Sequence, residues 1–345
     1  MVKGDYIVYL TVIDSYVYDF DQNVVDIIYG LQNYDRVILD LKGESPDFKC
    51  LGISPTLEKI ISLYEVEYGR IVLRTGNLIE TYTGILVETD NKLIRTERYE
   101  YDKIHMKVVE PNKNIKKHFG IYIGRGNYPR LALASYLDYF YNDLTDMTYH
   151  CDLTSAYSKS HIGLNELLHN LGSRHPISKA ATNFIHKVPV NTGTTYEYPI
   201  TSSNTVHSDI TTRYNNIFVD IVCETMFSGD TFGLWTEKTK RPVMLKTPFL
   251  IFGPRGFLKN LQNMGYKTFS NWWDENYDYS EGVNRVIDIT RIVDNLAKMN
   301  LNDITKMYNE MGDVLEYNRN LAIERTKNFR QINYEELKKQ FSVSR

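Results

Sequence analysis

The strongest constraint on this chain is the spacing of its β-branched apolar runs. Residues 6–13 are almost continuously apolar, and shorter runs follow at 36–41 and 70–73. Runs of this kind are expected of strands covered on both faces. Between them, 22–33 carries Val24, Val25, Ile28 and Leu31 at helical spacing, and 57–64 reads as another helix. Strand and helix alternating at short intervals predict a parallel α/β layer. Residues 78–110, richer in β-formers and charge, read as a hairpin or an edge-strand pair. The polar stretch 110–117, with Pro111 and no periodicity, reads as a linker. Alternation then restarts, with strands expected at 119–123, 184–188, 217–222 and 249–252. Helices are expected at 129–142, from Thr236, and at 256–264. Residues 282–330 are almost wholly helical in pattern, through Val286, Ile289, Ile292, Val293 and Leu296. The expected organisation is two α/β domains, 1–112 and 118–282, followed by helices over 283–345.

With 345 residues the chain is long enough for two domains with separate cores. A hydrophobic fraction of 42% with 24% charged residues excludes disorder as the default. A net charge of −3 provides no global field for nucleic acid or anionic membrane, so any such contact must come from a local patch. Cys50, Cys151 and Cys223 are isolated, so neither a zinc site nor a disulfide framework is expected and a reducing cytoplasm is the natural compartment. No apolar run approaches the length needed to span a bilayer, and the first run reads as a buried strand instead of a signal peptide. The abundance of Tyr, Asn, Lys and Ile is the bias of AT-rich genomes, phages among them, and carries no chemistry.

Two segments carry chemistry. The first is Gly124-Arg125-Gly126-Asn127-Tyr128-Pro129-Arg130, between an apolar strand and an amphipathic helix. Pro129 suits a first helical turn. Glycines let backbone approach a ligand, and a helix start favours phosphate. Arg125 and Arg130 are candidates for bidentate contacts to a diphosphate; the alternative is a tight turn with two solvated arginines.

The second segment spans 217–254. A buried strand ends in Cys223 and the carboxylate Glu224, and a loop with Gly229 and Gly233 leads to Thr236-Glu237-Lys238-Thr239-Lys240-Arg241-Pro242. A second apolar strand ends in Gly253-Pro254. Thr236 is a good N-cap, and Glu237 falls where a helix favours negative charge. Capping alone is one reading of that pair. The other is a ligand site, because Pro242 weakens the helix so near its start and the cations Lys238, Lys240 and Arg241 suit a phosphate.

A strand ending in Glu, Thr-Glu-Lys opening a helix, and an apolar strand ending in Gly-Pro resemble the donor-binding half of the α-1,3-fucosyltransferases and related phage proteins of the GT-B type. The resemblance covers roughly 119–275 and is specific from about 217 to 254. It implies two Rossmann-like domains facing a cleft, with a helical C-terminal tail. It also implies transfer of a sugar from a nucleotide-diphosphate sugar to an acceptor hydroxyl. By the resemblance Glu237 holds the ribose hydroxyls, Lys238 lies near the diphosphate, and Glu224 faces the sugar or its leaving group. Arg125 or Arg130 grips the phosphates, Arg241 matches a family Arg, and Gly253, at the strand end, counts with Thr236 among the donor-binding residues. The sequence departs from the family at Thr225, where an Asn usually follows the Glu, and at Pro242.

The expected reaction needs no metal or other cofactor, since Arg, Lys and helix starts can neutralise a departing diphosphate. Asp19-Phe20-Asp21 has the form of a metal triplet but lies far from the donor segment and reads as a cap. An inverting reaction needs an acceptor-side base, and Asp14, at the end of the first strand, is the candidate by position. The acceptor is a saccharide or a hydroxymethylated base in duplex DNA. DNA requires Lys113, Lys116, Lys117, Lys240, Arg241, Arg255 and Lys259 to reach one cleft. The competing class is a nucleotide-binding or structural viral protein without turnover. His175, Trp272-Trp273 with Tyr277, and the run 319–330 read as a loop residue, helix-end packing and a solvated helical face.

Overall fold

The computed structural model describes residues 4–13, 16–17, 20–42, 47–77, 82–89, 110–150, 160–190, 208–229, 231 and 236–328. Its N-terminal half contains β1 (Asp5–Ile13), β2 (Tyr16–Val17), α1 (Phe20–Asn33), β3 (Arg36–Lys42), α2 (Ser54–Leu63), β4 (Ile71–Thr75) and β5 (Leu86–Thr89). The sheet order is β2-β1-β3-β4-β5; β2 is antiparallel to β1, and the other neighbours are parallel. Within 78–110, only 86–89 is described as strand, a parallel edge on β4. Residues 78–81 and 90–109 lie outside the described residues.

Coverage of β1 differs from expectation. Val8, Leu10, Val12, Val37, Leu39, Leu41, Ile71 and Leu73 share a core with Ile27, Leu57 and Ile60 of the two helices. On the opposite face, in register, lie Ile7, Ile38, Val72 and Leu86, followed by Tyr9, Asp40, Arg74 and Glu88. Ile7 is 39% and Tyr9 48% exposed, so β1 is packed on one face and not on both. The winding explains it: strands laid down in one direction with right-handed crossovers keep both helices on one side.

The C-terminal half contains β6 (Lys117–Ile123), α3 (Tyr128–Tyr141), β7 (Thr145–Tyr149), α4 (Ser160–Leu171), α5 (Pro176–Phe184), α6 (Ser208–Asn216), β8 (Ile217–Cys223), α7 (Glu237–Met244), β9 (Phe249–Phe252) and α8 (Phe257–Asn263). Its four strands are all parallel, in the order β7-β6-β8-β9. The tail is α9 (Gly282–Ala297), α10 (Leu301–Glu310) and α11 (Gly312–Asn328). No described helix is long and apolar enough to cross a membrane. The strand expected at 184–188 is absent: Phe184 ends α5, whose buried Ile177, Ala180, Ala181 and Phe184 recur at helical spacing. Pro242 does not end α7, which runs through it to Met244.

The stretch 110–116 has no regular structure, yet it is fastened to the C-terminal half. Asn114 and Lys116 donate backbone N–H groups to Asn215 and Asn216 at 2.8 Å each. The Lys113 ammonium donates to the Tyr214 carbonyl (2.6 Å), the Ile217 carbonyl (3.2 Å) and Thr247 Oγ1 (2.7 Å). Glu110 bonds Arg319 of α11, which is buried and so departs from the solvated face expected there. Through Asn318, whose amide pairs with the Lys267 backbone at 2.8 Å on both arms, α11 also lies against the C-terminal half.

Buried near Lys113 is Asp220 of β8, whose carboxylate accepts from the Tyr214 hydroxyl. Burial pushes its carboxyl up to about 7, against the pull of that hydroxyl, Arg241 and Lys113. An acid whose folded pKa exceeds its unfolded value binds extra protons when folded. Its contribution is therefore present at low pH and lost as pH rises from about 4 to about 7. Asp220→Asn removes that loss and keeps an acceptor for Tyr214. Urea unfolding should find the variant more stable than the parent by about 1–3 kcal/mol at pH 8, with the gain vanishing near pH 4. A gain equal at both pH values would refute the assignment.

One loop joins the two cores. Met226, just after β8, is buried in the N-terminal core, while the adjacent Phe227 belongs to the C-terminal one. Gly229 follows at φ +70° so close to Asp47 and Cys50 that a Cβ would stand 2.5 Å from the Cys50 sulfur. Only glycine meets both demands.

Candidate functional site

The strand order of the C-terminal half sets where a ligand site can form. From β6 the chain moves outward to β7, then returns past β6 to β8 and β9. Connections therefore diverge above the carboxyl ends of β6 and β8, the crevice where open parallel sheets bind ligands. The loop Gly124-Arg125-Gly126-Asn127 leaves β6 there, and Glu224 and Thr225 leave β8. Register alignment carries the same edge to Gly253 beyond β9.

Glu224 is 1% exposed, and its partners are all within the fold. Its carboxylate accepts from Thr236 N–H (3.3 Å), Thr236 Oγ1 (2.6 Å), Thr225 N–H (3.4 Å) and the Thr239 hydroxyl. The strand end thereby holds the start of α7. Thr236 is the N-cap, its hydroxyl accepting from Lys238 N–H at 3.2 Å. The Lys238 ammonium, half-buried, donates to Thr225 Oγ1 at 3.1 Å, so it reaches back to the β8 strand end. Glu237 is the first residue of α7; its side chain, like the whole of Asp14 and Asp19, lies outside the described residues.

Arg130 is buried in the first turn of α3. Its guanidinium donates to the Arg125 carbonyl at 3.1 Å and the Glu224 carbonyl at 3.2 Å, tying the two strand-end loops together. The expected contact of Arg130 with a diphosphate gives way to this brace, because a fully buried fork directed at carbonyls shapes the loop. Arg125, on the loop itself and half-buried, remains at the crevice. The capping residue of α3 is Asn127, whose Oδ1 accepts from Arg130 N–H at 3.2 Å. Sequence reasoning overlooked Asn127, although Asn just before Tyr-Pro after a strand is a cap signal.

Other candidates fall elsewhere. The Arg241 charge acts on Asp220, about 13 Å down β8 from Glu224 at roughly 3.3 Å per residue. Gly253 offers its carbonyl to Arg285, and a Cβ there would stand 3.2 Å from the Phe257 ring. Lys240 is buried. Of the cations that a DNA cleft would need, Lys113 and Lys117 lie at the opposite edge of the sheet, and Arg255 pairs with Glu281 at 3.5 Å. His175 caps α5. Trp273 and Tyr277 pack in the core beside Phe269, as helix-end packing predicts.

Among the described residues no group of three or more His, Cys, Asp or Glu side chains is arranged to hold a metal. The crevice thus combines two helix starts, two glycines, Arg125 and Lys238, a set suited to a polyanion. Compared with protein-family models, curated proteins and solved structures, the chain matches none.

Proposed function

We propose that this chain is a glycosyltransferase of the GT-B type, moving a sugar from a nucleotide-diphosphate sugar to an acceptor hydroxyl. The observation that carries the reading is the meeting of the Gly124 loop, the Glu224 strand end and the Thr236-Glu237-Lys238 helix start at one switch-point crevice. In the proposed reaction the acceptor hydroxyl gives its proton to a base, for which Asp14 is the candidate by sequence position, its oxygen attacks the anomeric carbon, and the bond to the diphosphate breaks. Lys238, Arg125 and the two helix starts neutralise the charge that develops on the leaving group without a metal. Glu237 holds the ribose, as the fucosyltransferase likeness suggests. The acceptor approaches from the N-terminal half, which the Met226 and Gly229 loop brings against this edge. Dispersal of the cations favours a saccharide over duplex DNA as acceptor.

A second reading, nucleotide binding without turnover, is favoured by the commitment of Glu224 and Arg130 to the fold. Titration with UDP, GDP, CDP and their sugars tests nucleotide binding, and release of free sugar or sugar transfer separates the two readings. Glu237→Ala is expected to weaken binding about 100-fold, the worth of two charge-assisted bonds to ribose, while unfolding shifts little. Unchanged affinity in that variant would remove Glu237 from the site.

A further inference from the structure

Asn127 performs one task visibly and is equipped for a second. Only an amide oxygen can accept the Arg130 N–H, so Oδ1 is the capping arm and Nδ2 is the opposite one. The residue is fully buried, and that Nδ2 has no hydrogen-bond partner. Buried donors in native proteins are nearly always satisfied, so an orphan calls for an explanation. Capping does not supply it: Asp, Ser or Thr caps a helix through its oxygen equally well. Relative to Asp, Asn adds a donor and withholds a negative charge.

Both differences matter at this place. Asn127 begins a helix of 14 residues, above the carboxyl end of β6, where backbone amides and the helix dipole favour an anion. Asp would cap the helix and repel that anion; Asn caps it and presents an N–H. Arg130, three residues on, is directed at the Arg125 and Glu224 carbonyls and holds the loop's shape.

We propose that Asn127 is a ligand-binding residue as well as a cap, its Nδ2–H held for an oxygen of the donor's diphosphate. This rests on the nucleotide-sugar reading above. It adds a requirement that the likeness to fucosyltransferases does not contain: the β6 loop selects its ligand by charge through a neutral side chain.

The test is isothermal titration of the full chain, Asn127→Asp and Asn127→Ser with pyrophosphate, with UDP and GDP, and with uridine and guanosine. Asn127→Asp keeps the cap and is expected to weaken pyrophosphate and nucleoside diphosphates by at least about 30-fold; Asn127→Ser, neutral but shorter, should lose about tenfold. Nucleoside affinity should be unchanged in both, and the thermal midpoint of Asn127→Ser should stay within about 3 °C of the parent. Undiminished pyrophosphate affinity in Asn127→Asp overturns the proposal and leaves the nucleotide-sugar reading standing, as does an equal loss of nucleoside affinity. If Asn127→Asp does not fold, the Ser variant decides by the same comparison. A parent chain that binds neither pyrophosphate nor any nucleotide overturns both.

Discussion

Replacing Arg285 by Ala is expected to lower the unfolding free energy by about 3–5 kcal/mol, enough to leave an ordinary domain marginal. Arg285 is 1% exposed at the start of α9. It donates to the Tyr277 carbonyl at 2.8 Å, the Pro254 carbonyl at 2.9 Å, the Gly253 and Asp278 carbonyls, and Asp278 Oδ1 at 3.1 Å. Asp278 in turn accepts from Leu258 and Lys259 N–H at 3.0 and 3.1 Å, capping α8. Removing the guanidinium leaves a buried carboxylate without its cation and several carbonyls without donors. Lys cannot substitute, because one ammonium does not reach acceptors spread over a planar fork. Denaturant unfolding of Arg285→Ala, Arg285→Lys and Asp278→Asn/Arg285→Met checks this. The double variant should recover part of the loss because it removes both charges. A single Ala variant within about 1 kcal/mol of the parent would refute the account.

The extent to which the fold is legible in the sequence follows the strength of local periodicity. β1, β3, β4, β6, β8 and β9 are all apolar runs, and the long tail helices announce themselves through Val286, Ile289, Val293 and Leu296. β7 (Thr145–Tyr149) is an edge strand with Asp146 and two threonines, too polar to register as a run. The helix at 176–184 is hidden in the sequence because its last residue, Phe184, is followed by Ile185 and Val188, and the three together mimic a strand. The exposure of one face of β1 cannot be read from the sequence either, since Ile7 and Tyr9 are as apolar as the core residues beside them.

The site is legible in a different sense. Residue types mark where a polyanion could be held, but not which side chains are free to hold it. The Gly124 loop and the Glu224 strand end, which holds Thr236, lie on one side because strand ends of one parallel sheet share an edge. Arg130 and Glu224 look equally suited to a ligand in the sequence. They are committed to the fold, because partners such as Thr239 and the Arg125 carbonyl are fixed only in three dimensions. Asn127 is the reverse case: inconspicuous in sequence, it becomes informative once its second amide arm is seen to be buried and unmet.

That distinction makes Glu224 the most discriminating position in the molecule. Glu224→Ala should cost about 2–4 kcal/mol of stability, since it strands the Thr236 and Thr239 hydroxyls and two backbone N–H groups in a buried place. Nucleotide affinity should fall with it by at least about tenfold, because the start of α7 loses its tie to β8. Glu224→Gln separates anchoring from chemistry. Its amide keeps one accepting arm; the other arm faces one threonine hydroxyl, which can rotate to accept, and one backbone N–H, which cannot. Anchoring alone therefore predicts a loss of about 1–2 kcal/mol, smaller than in Glu224→Ala, with turnover falling only as far as binding does. A group that acts on the sugar or leaving group instead predicts a turnover loss of about 100-fold or more at unchanged affinity. Parallel measurement of unfolding, nucleotide affinity and sugar release in both variants decides between these roles. The hydrogen bonds favour the anchor, since three of the four that the carboxylate accepts come from Thr236 and Thr239 at the start of the helix that it holds.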